Sequence, residues 1–323
     1  SMNPDGSNKM VLGSDGWSTI FGSPSIHLHN NHRWFPKASF LPDPEHVPTE
    51  EEPYKYLEYP DGSWRVKLYA LRDDYNPESN NSPQTIALLL NDDPTFQLLG
   101  GREWLLDDEY ISFVARRWSS TEPDATVVQG GIYVLPLLFA ADGSIAGLGE
   151  PPTTPTIPLP LVPHENPQPG VESHPRPDVL HYSWAPDASM FVYTKLSDPY
   201  GVWVADVDGA EEMISSDAGE APQWSPDGES IAYGVSGGLV TIKPNGKRKS
   251  WIVWPESDWL FRYAHWSPDS QHLVFTGLPR TGDGIYSWDG DLFLVSANGR
   301  DMVNLTNTPG DREVVSAFNA GWR

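Results

Sequence analysis

The chain has 323 residues with 44 acidic against 21 basic side chains, a formal charge of −23. Such a surface repels nucleic acid and suits a basic peptide, a cationic protein face or a divalent cation. Cysteine is absent, which excludes disulfides, thiol catalysis and thiolate metal sites, and no run of about twenty apolar residues predicts direct membrane insertion.

Ser1-Met2 reads as a tag remnant, before which a native leader or anchor would have stood. Ser14-Asp15-Gly16-Trp17-Ser18-Thr19-Ile20-Phe21 reads as a turn and strand, followed by a strand over Ser25-Ile26-His27-Leu28-His29. Next, Tyr59-Pro60-Asp61-Gly62 is a turn with Glu58 in the slot where later copies carry Trp. Trp104-Leu105-Leu106-Asp107 keeps the Trp and Asp of the pattern, with Ile111-Ser112-Phe113 as the strand after it. Trp184-Ala185-Pro186-Asp187, Trp224-Ser225-Pro226-Asp227-Gly228 and Trp266-Ser267-Pro268-Asp269 follow at spacings of 40 and 42 residues. A period near 40 is the mark of propeller blades.

Proline presets φ for the turn, aspartate accepts hydrogen bonds from turn N–H groups, and glycine tolerates the positive φ that closes it. Apolar runs such as Phe191-Val192-Tyr193, Ile231-Ala232-Tyr233 and Leu273-Val274-Phe275 follow as strands. Asp142-Gly143, Asp208-Gly209, Asn245-Gly246 and Asn298-Gly299 each follow a further apolar run as hairpin turns. One unit is thus an inner strand ending in Trp, a turn, a second strand, a variable loop, a third strand, a tight turn and an outer strand. These units resemble the TolB-type repeat, a relative of the WD repeat, over most of the chain from about Glu51 to Arg323, and Asn304-Leu305-Thr306 resembles that family's outer-strand ending. The resemblance implies an all-β, six-bladed propeller of four-stranded antiparallel blades over residues 3–323 as a single domain. The blades begin near residues 58, 104, 184, 224 and 266, and the sixth is shared between the termini, with Ala317–Trp322 as its inner strand.

From Trp104 to Trp184 is 80 residues, twice the period, and Gly149–Asp178 carries ten prolines. Proline cannot donate to a sheet ladder, so residues 149–178 are expected as a polyproline-like insertion between blades rather than a seventh blade. Such a stretch serves either as a ligand for a proline-binding module or as an arm packed over the propeller.

Gly234-Val235-Ser236-Gly237-Gly238 fits the G-x-S-x-G pattern of serine hydrolases, but that motif needs a strand turning into a helix. Here it falls between second and third strands, where small residues make a tight hairpin. Prolyl oligopeptidase relatives pair a propeller with a hydrolase domain, which this sequence does not carry. Metal ligation has two candidate sets. His27, His29 and His32 cluster on a strand pair and its turn, and imidazole suits zinc or manganese. Pectate-degrading lyases with related repeats hold a metal near the channel, and by that comparison His181 and His265 are the better ligands, since strict alternation from Trp184 and Trp266 gives them the same parity. The blade between offers only Ala221 and Gln223, so a third ligand is unassigned.

Loops entering the inner strands gather at one mouth of a propeller. They bring Arg102, Glu103, Glu220, Trp259 and Arg262 there, with Asp311–Glu313 beside them. Longer loops at Leu71–Thr85, Ala115–Gly130 and Gly277–Tyr286 add Arg116, Arg117, Trp118, Arg280 and Tyr286. Trp, Tyr and Arg are enriched in binding hot spots. The expectation is a monomeric, non-catalytic module, periplasmic or extracellular, that needs no cofactor and recognises a protein or peptide, favourably a basic one. The alternatives are a metal-dependent lyase or hydrolase acting on a glycan in the channel, with a divalent cation as cofactor, and a ligand-sensing ectodomain.

Overall fold

Each Trp-x-Pro-Asp segment reverses the chain as its chemistry requires. Ser225 Oγ donates to Asp227 Oδ1 at 2.6 Å, the same carboxylate oxygen accepts from Glu229 N at 2.9 Å, and Gly228 N donates to Ser225 O at 2.9 Å. Ser267 and Asp269 repeat the pattern, with Ser267 Oγ to Asp269 Oδ1 at 2.5 Å and Gln271 N to the same oxygen at 3.0 Å. At Asp187 and Asp61 the serine follows the aspartate instead, and Ser189 and Ser63 Oγ donate back at 2.8 and 2.7 Å. The computed structural model describes residues 27–29, 32–49, 52, 54–63, 65–72, 86–88, 93–105, 109–149, 153–163, 174–179, 181–256, 258–280 and 290–306.

Every regular element among these residues is a strand, and the strands fall into two units divided between Asp178 and Val179. In the N-terminal unit, β1 (His27–His29), β2 (His32–Phe40), β3 (Val66–Arg72) and β4 (Ile86–Leu88) form one antiparallel meander. A second is built from β5 (Phe96–Leu105), β6 (Tyr110–Trp118), β7 (Val127–Phe139) and β8 (Ile145–Leu148). β9 (Ile157–Pro158) is a fifth strand on β7, and β10 (Leu161–Val162) pairs β11 (Arg176–Pro177). The core of this unit is Leu68, Phe96, Ile111, Phe113, Tyr133, Leu135 and their neighbours, all at or near zero exposure.

The C-terminal unit holds three meanders: β12 (Tyr182–Trp184), β13 (Met190–Lys195), β14 (Gly201–Asp206) and β15 (Glu211–Ser215); β16 (Glu220–Trp224), β17 (Ile231–Val235), β18 (Gly238–Ile242) and β19 (Ser250–Val253); β20 (Trp259–Trp266), β21 (His272–Pro279), β22 (Asp291–Ser296) and β23 (Val303–Asn304). Apolar alternation makes one face of each meander a core face. Val192, Val202 and Val204 pack against Trp224, Ile231, Tyr233 and Val240 of the next meander, and Leu239, Ile252 and Val253 pack in turn against Phe261, Leu273, Phe275 and Phe293. Trp184 and Trp224 are buried, Trp224 within the first of these seams, and Trp266 Nε1 donates to Gln223 O of the preceding meander at 3.2 Å.

Three expectations need correction. The turn at Tyr59–Gly62 forms, with Gly62 N donating to Tyr59 O at 2.9 Å, but the strand beside β3 is β2 and not residues 51–58. β2 pairs with β3 from Trp34 opposite Arg72 to Phe40 opposite Val66, and β4 takes the other edge of β3. The loop expected over Ala115–Gly130 shrinks to 119–126, because β6 and β7 keep pairing out to Trp118 opposite Val127. Described parts of residues 149–178 pair with strands. Ile157 and Pro158 pair with Ile132 and Gly131, and Leu161 and Val162 pair with Pro177 and Arg176. Gly130 and Gly131 admit this arm, since a Cβ on Gly131 would stand 2.1 Å from Ile157 O and one on Gly130 would meet Pro177 Cγ at 2.6 Å. Finally, strict alternation does not hold along the inner strands, because β16 and β20 both carry bulges. The shared blade expected from the two termini lies outside the described residues.

Candidate functional site

In the C-terminal unit the inner strands β16 and β20 are irregular at the same place. The register skips between Glu220 and Gln223 and between Arg262 and His265, and the extra residues, Ala221 and Tyr263, sit at φ 45° and 55°. A bulky aromatic in the left-handed region is a strained position that its surroundings must impose. They do so from several directions. Thr194 Oγ1 donates to Gly219 O at 2.7 Å, and a Cβ on Gly219 would collide with Val202 at 2.4 Å. Phe261 N donates to Gly237 O at 3.0 Å, and the Trp259 ring stacks on Phe261 at 6.3 Å and meets the Phe293 ring edge-on at 5.1 Å.

The bulges re-aim the residues before them. Arg262 Nη2 donates to Glu220 Oε1 at 2.9 Å, and Arg262 Nε lies 2.8 Å from Oε2 as an ion contact without hydrogen-bond alignment. The pair joins two neighbouring inner strands, and its side chains are 28% and 40% exposed, so water and ligands reach it. An ion pair this exposed contributes about 0–1 kcal/mol to stability and can be exchanged for another partner at small cost.

His265, on the far side of the bulge, faces Val274 in the ladder, and burial lowers its pKa to about 4, so the ring is neutral near pH 7. His181 lies just ahead of β12, and its carbonyl accepts from Thr194 N at 2.9 Å. The β20 bulge lies ahead of His265 and leaves its register with Trp266 regular, and among the described residues no three His, Asp or Glu side chains converge on one point. In the N-terminal unit, register sets His29 opposite His32 and His27 opposite Trp34. Ser236 and Gly237 are the two residues of the β17–β18 hairpin, at φ 51° and 85°, and Val235 pairs directly with Gly238. This is the two-residue turn geometry that small residues favour, with a strand and not a helix after it.

The residues assigned to the N-terminal unit behave differently. Arg116 is buried: it forms an ion pair with Asp61, donates through Nε to Gln97 Oε1 at 2.8 Å and through Nη1 to Pro175 O at 2.7 Å, and lies over the Trp118 ring at 4.8 Å. Burial pushes the guanidinium pKa down while Asp61 opposes that shift. Burial also raises the Asp61 carboxyl, but hydrogen bonds from Ser63 and the charge of Arg116 outweigh it and leave the pKa below the usual carboxylate value. Trp118 is 2% exposed, donates to Gln97 Oε1 at 2.8 Å and meets the His174 ring edge-on at 4.9 Å. These two side chains tie the end of the proline-rich arm to the Asp61 turn and to β5 and β6. Arg117 donates to Asp93 Oδ2 at 2.7 Å and covers the Phe96 ring, and Glu103 is buried. Arg102 is on β5 opposite Phe113, Arg280 is exposed with its N donating to Asp258 O at 2.8 Å, and Tyr286 lies outside the described residues. Sequence reasoning picked Glu220 and Arg262 but not Ala221 and Tyr263, whose only signal is backbone conformation.

No family model matches the sequence, and no curated protein matches it. Among solved structures the chain is similar to a protein assigned as a TolB of Agrobacterium tumefaciens, at 16% identity over 85% of this chain and 81% of that one, with a TM-score of 0.46. It is also similar to a puromycin-hydrolyzing peptidase of Mycobacterium tuberculosis at 13% identity, over 93% of this chain and 50% of that one, with a TM-score of 0.45. An oligogalacturonate lyase in complex with manganese is similar at 13% identity over 76% of this chain and 59% of that one, with a TM-score of 0.43. The chain therefore spans about half the length of the peptidase and about three fifths of the lyase, and at these scores the three proteins, unlike one another in activity, assign none to it.

Proposed function

We propose that the chain is a TolB-like, six-bladed propeller closed by a blade shared between its termini, and that it works as a non-catalytic module recognising a protein or peptide. The reading rests on one observation above the others: the Glu220–Arg262 pair, half open to solvent, held on two inner strands by strained bulges at Ala221 and Tyr263. A partner carboxylate can take the Arg262 fork bidentately while a partner cation takes Glu220, and the rigid strands below keep both groups aimed. Trp259 supplies an aromatic neighbour of the kind that carries binding energy. The module is further proposed to be monomeric, to act outside the cytoplasm, and to avoid nucleic acid on account of its −23 charge.

Selection of a random peptide library on the immobilised protein tests the reading. Enriched peptides are expected to bind Arg262→Ala and Glu220→Gln about 5- to 30-fold more weakly, as for a hot spot of about 1–2 kcal/mol, with unchanged melting temperatures. If no peptide is enriched, or if every enriched peptide binds both variants like the wild type, the reading is wrong.

A further inference from the structure

β19 ends in an aromatic pair that the Glu220–Arg262 site does not use. Trp251 is half-buried against the core of its meander and lies over Gly238, where a Cβ would stand 2.9 Å from its ring. Trp254, just past the strand, lays its ring on Trp251 with 5.0 Å between centroids and 23° between planes, yet is 67% exposed. One face of the indole is therefore backed by a fixed aromatic while the rest stands in water. Glu256 and Asp258 follow it, both exposed, and Glu256 is bridged by its backbone to Trp259.

We infer that Trp254, backed by Trp251 and flanked by Glu256, is a docking point for a cationic side chain, the guanidinium or ammonium group of a basic peptide. The negative face of an indole attracts a cation placed over it, and the stacked partner removes the rotamer freedom that binding would otherwise have to freeze. Glu256 adds a carboxylate, and the −23 charge of the chain concentrates cations at its surface. Two opposing features are near. Arg280 shares the Asp258 corner through its backbone, and counting one charge each for Glu256, Asp258 and Arg280 the corner remains negative. Lys247, Arg248 and Lys249 precede β19 at its other end, roughly 16 Å away along the strand at about 3.3 Å per residue, beyond the screening length of about 8 Å at physiological salt. The attraction prevails locally.

The inference rests on the peptide-binding reading but concerns a separate surface, so hexa-arginine, hexaproline and hexaglutamate are titrated calorimetrically into the wild type and into Trp254→Ala, Trp254→Phe, Glu256→Gln and Glu220→Gln. Hexa-arginine is expected to bind best. Its affinity should fall about 5- to 30-fold in Trp254→Ala and about 2- to 5-fold in Glu256→Gln, recover largely in Trp254→Phe, and fall less in Glu220→Gln than in Trp254→Ala. Melting temperatures within a degree or so of wild type exclude misfolding. Equal affinity of the wild type and Trp254→Ala for hexa-arginine overturns the inference, as does hexaproline binding as tightly. Should Glu220→Gln alone weaken binding, the inference falls while the reading of the inner strands stands.

Discussion

Ala188 stands at φ 55°, at the turn position where equivalent segments carry Gly62 at 75° and Gly228 at 74°. A Cβ in the left-handed region costs about 1–2 kcal/mol, part of which the extra freedom of unfolded glycine would cancel. Ala188→Gly is therefore expected to stabilise the fold by about 0.5–1 kcal/mol in denaturant unfolding. Ser270 occupies the same position at φ 57°, but its Oγ accepts Asp227 N at 3.1 Å, so glycine there would relieve one cost and lose one contact. His265 allows a second test. Its folded pKa is about 4 against an ordinary 6.5, so between these values the unfolded chain binds a proton that the folded chain does not. Its contribution is fully present above about pH 6.5 and is lost as pH falls toward 4, by up to about 3 kcal/mol. Comparing unfolding midpoints at neutral and mildly acid pH should show a smaller loss in His265→Gln than in the wild type; equal losses would remove His265 as the cause.

Among elements, the extended β6–β7 hairpin and the arm laid on it decide what Arg116 is for. The guanidinium side chain is 6% exposed and its partner Asp61 14%, and three elements converge on it. Removing one member of a buried pair leaves the other charge without compensation, which costs about 3–5 kcal/mol. Arg116→Ala should accordingly lower the unfolding midpoint strongly, whereas Arg262→Ala, drawn from an exposed pair, should shift it by less than about 1 kcal/mol. The sequence alone ranks these two arginines alike, as loop-borne hot-spot candidates. What separates them is the continued pairing of β6 with β7, which carries Arg116 into the interior, and the bulge that follows Arg262 in β20, where its side chain is 28% exposed.

At the scale of the whole molecule, the proposed closure predicts that deleting Val314–Arg323 removes an inner strand and bares edges, so the truncated protein should aggregate or melt far lower; a monodisperse truncation product with the wild-type melting temperature would refute it. The sequence by itself determined the repeat unit. Trp, Pro, Asp and Gly act within a few residues of one another, so the turns at Pro186, Pro226 and Pro268 and the hairpins at Gly209, Gly246 and Gly299 follow from local geometry and could be read without a structure. The same holds for Ser236, since two small residues between paired strands can only turn. Only the tertiary structure decided where strands run past their expected ends, that β2 and not residues 51–58 lies beside β3, and that the proline-rich arm pairs with β7. Those outcomes depend on contacts between residues far apart in the chain, as Arg116 with Pro175 shows. The bulges at Ala221 and Tyr263 belong to the same class: no local residue preference asks for a left-handed alanine or tyrosine, and the packing around Gly219 and Phe261 imposes it.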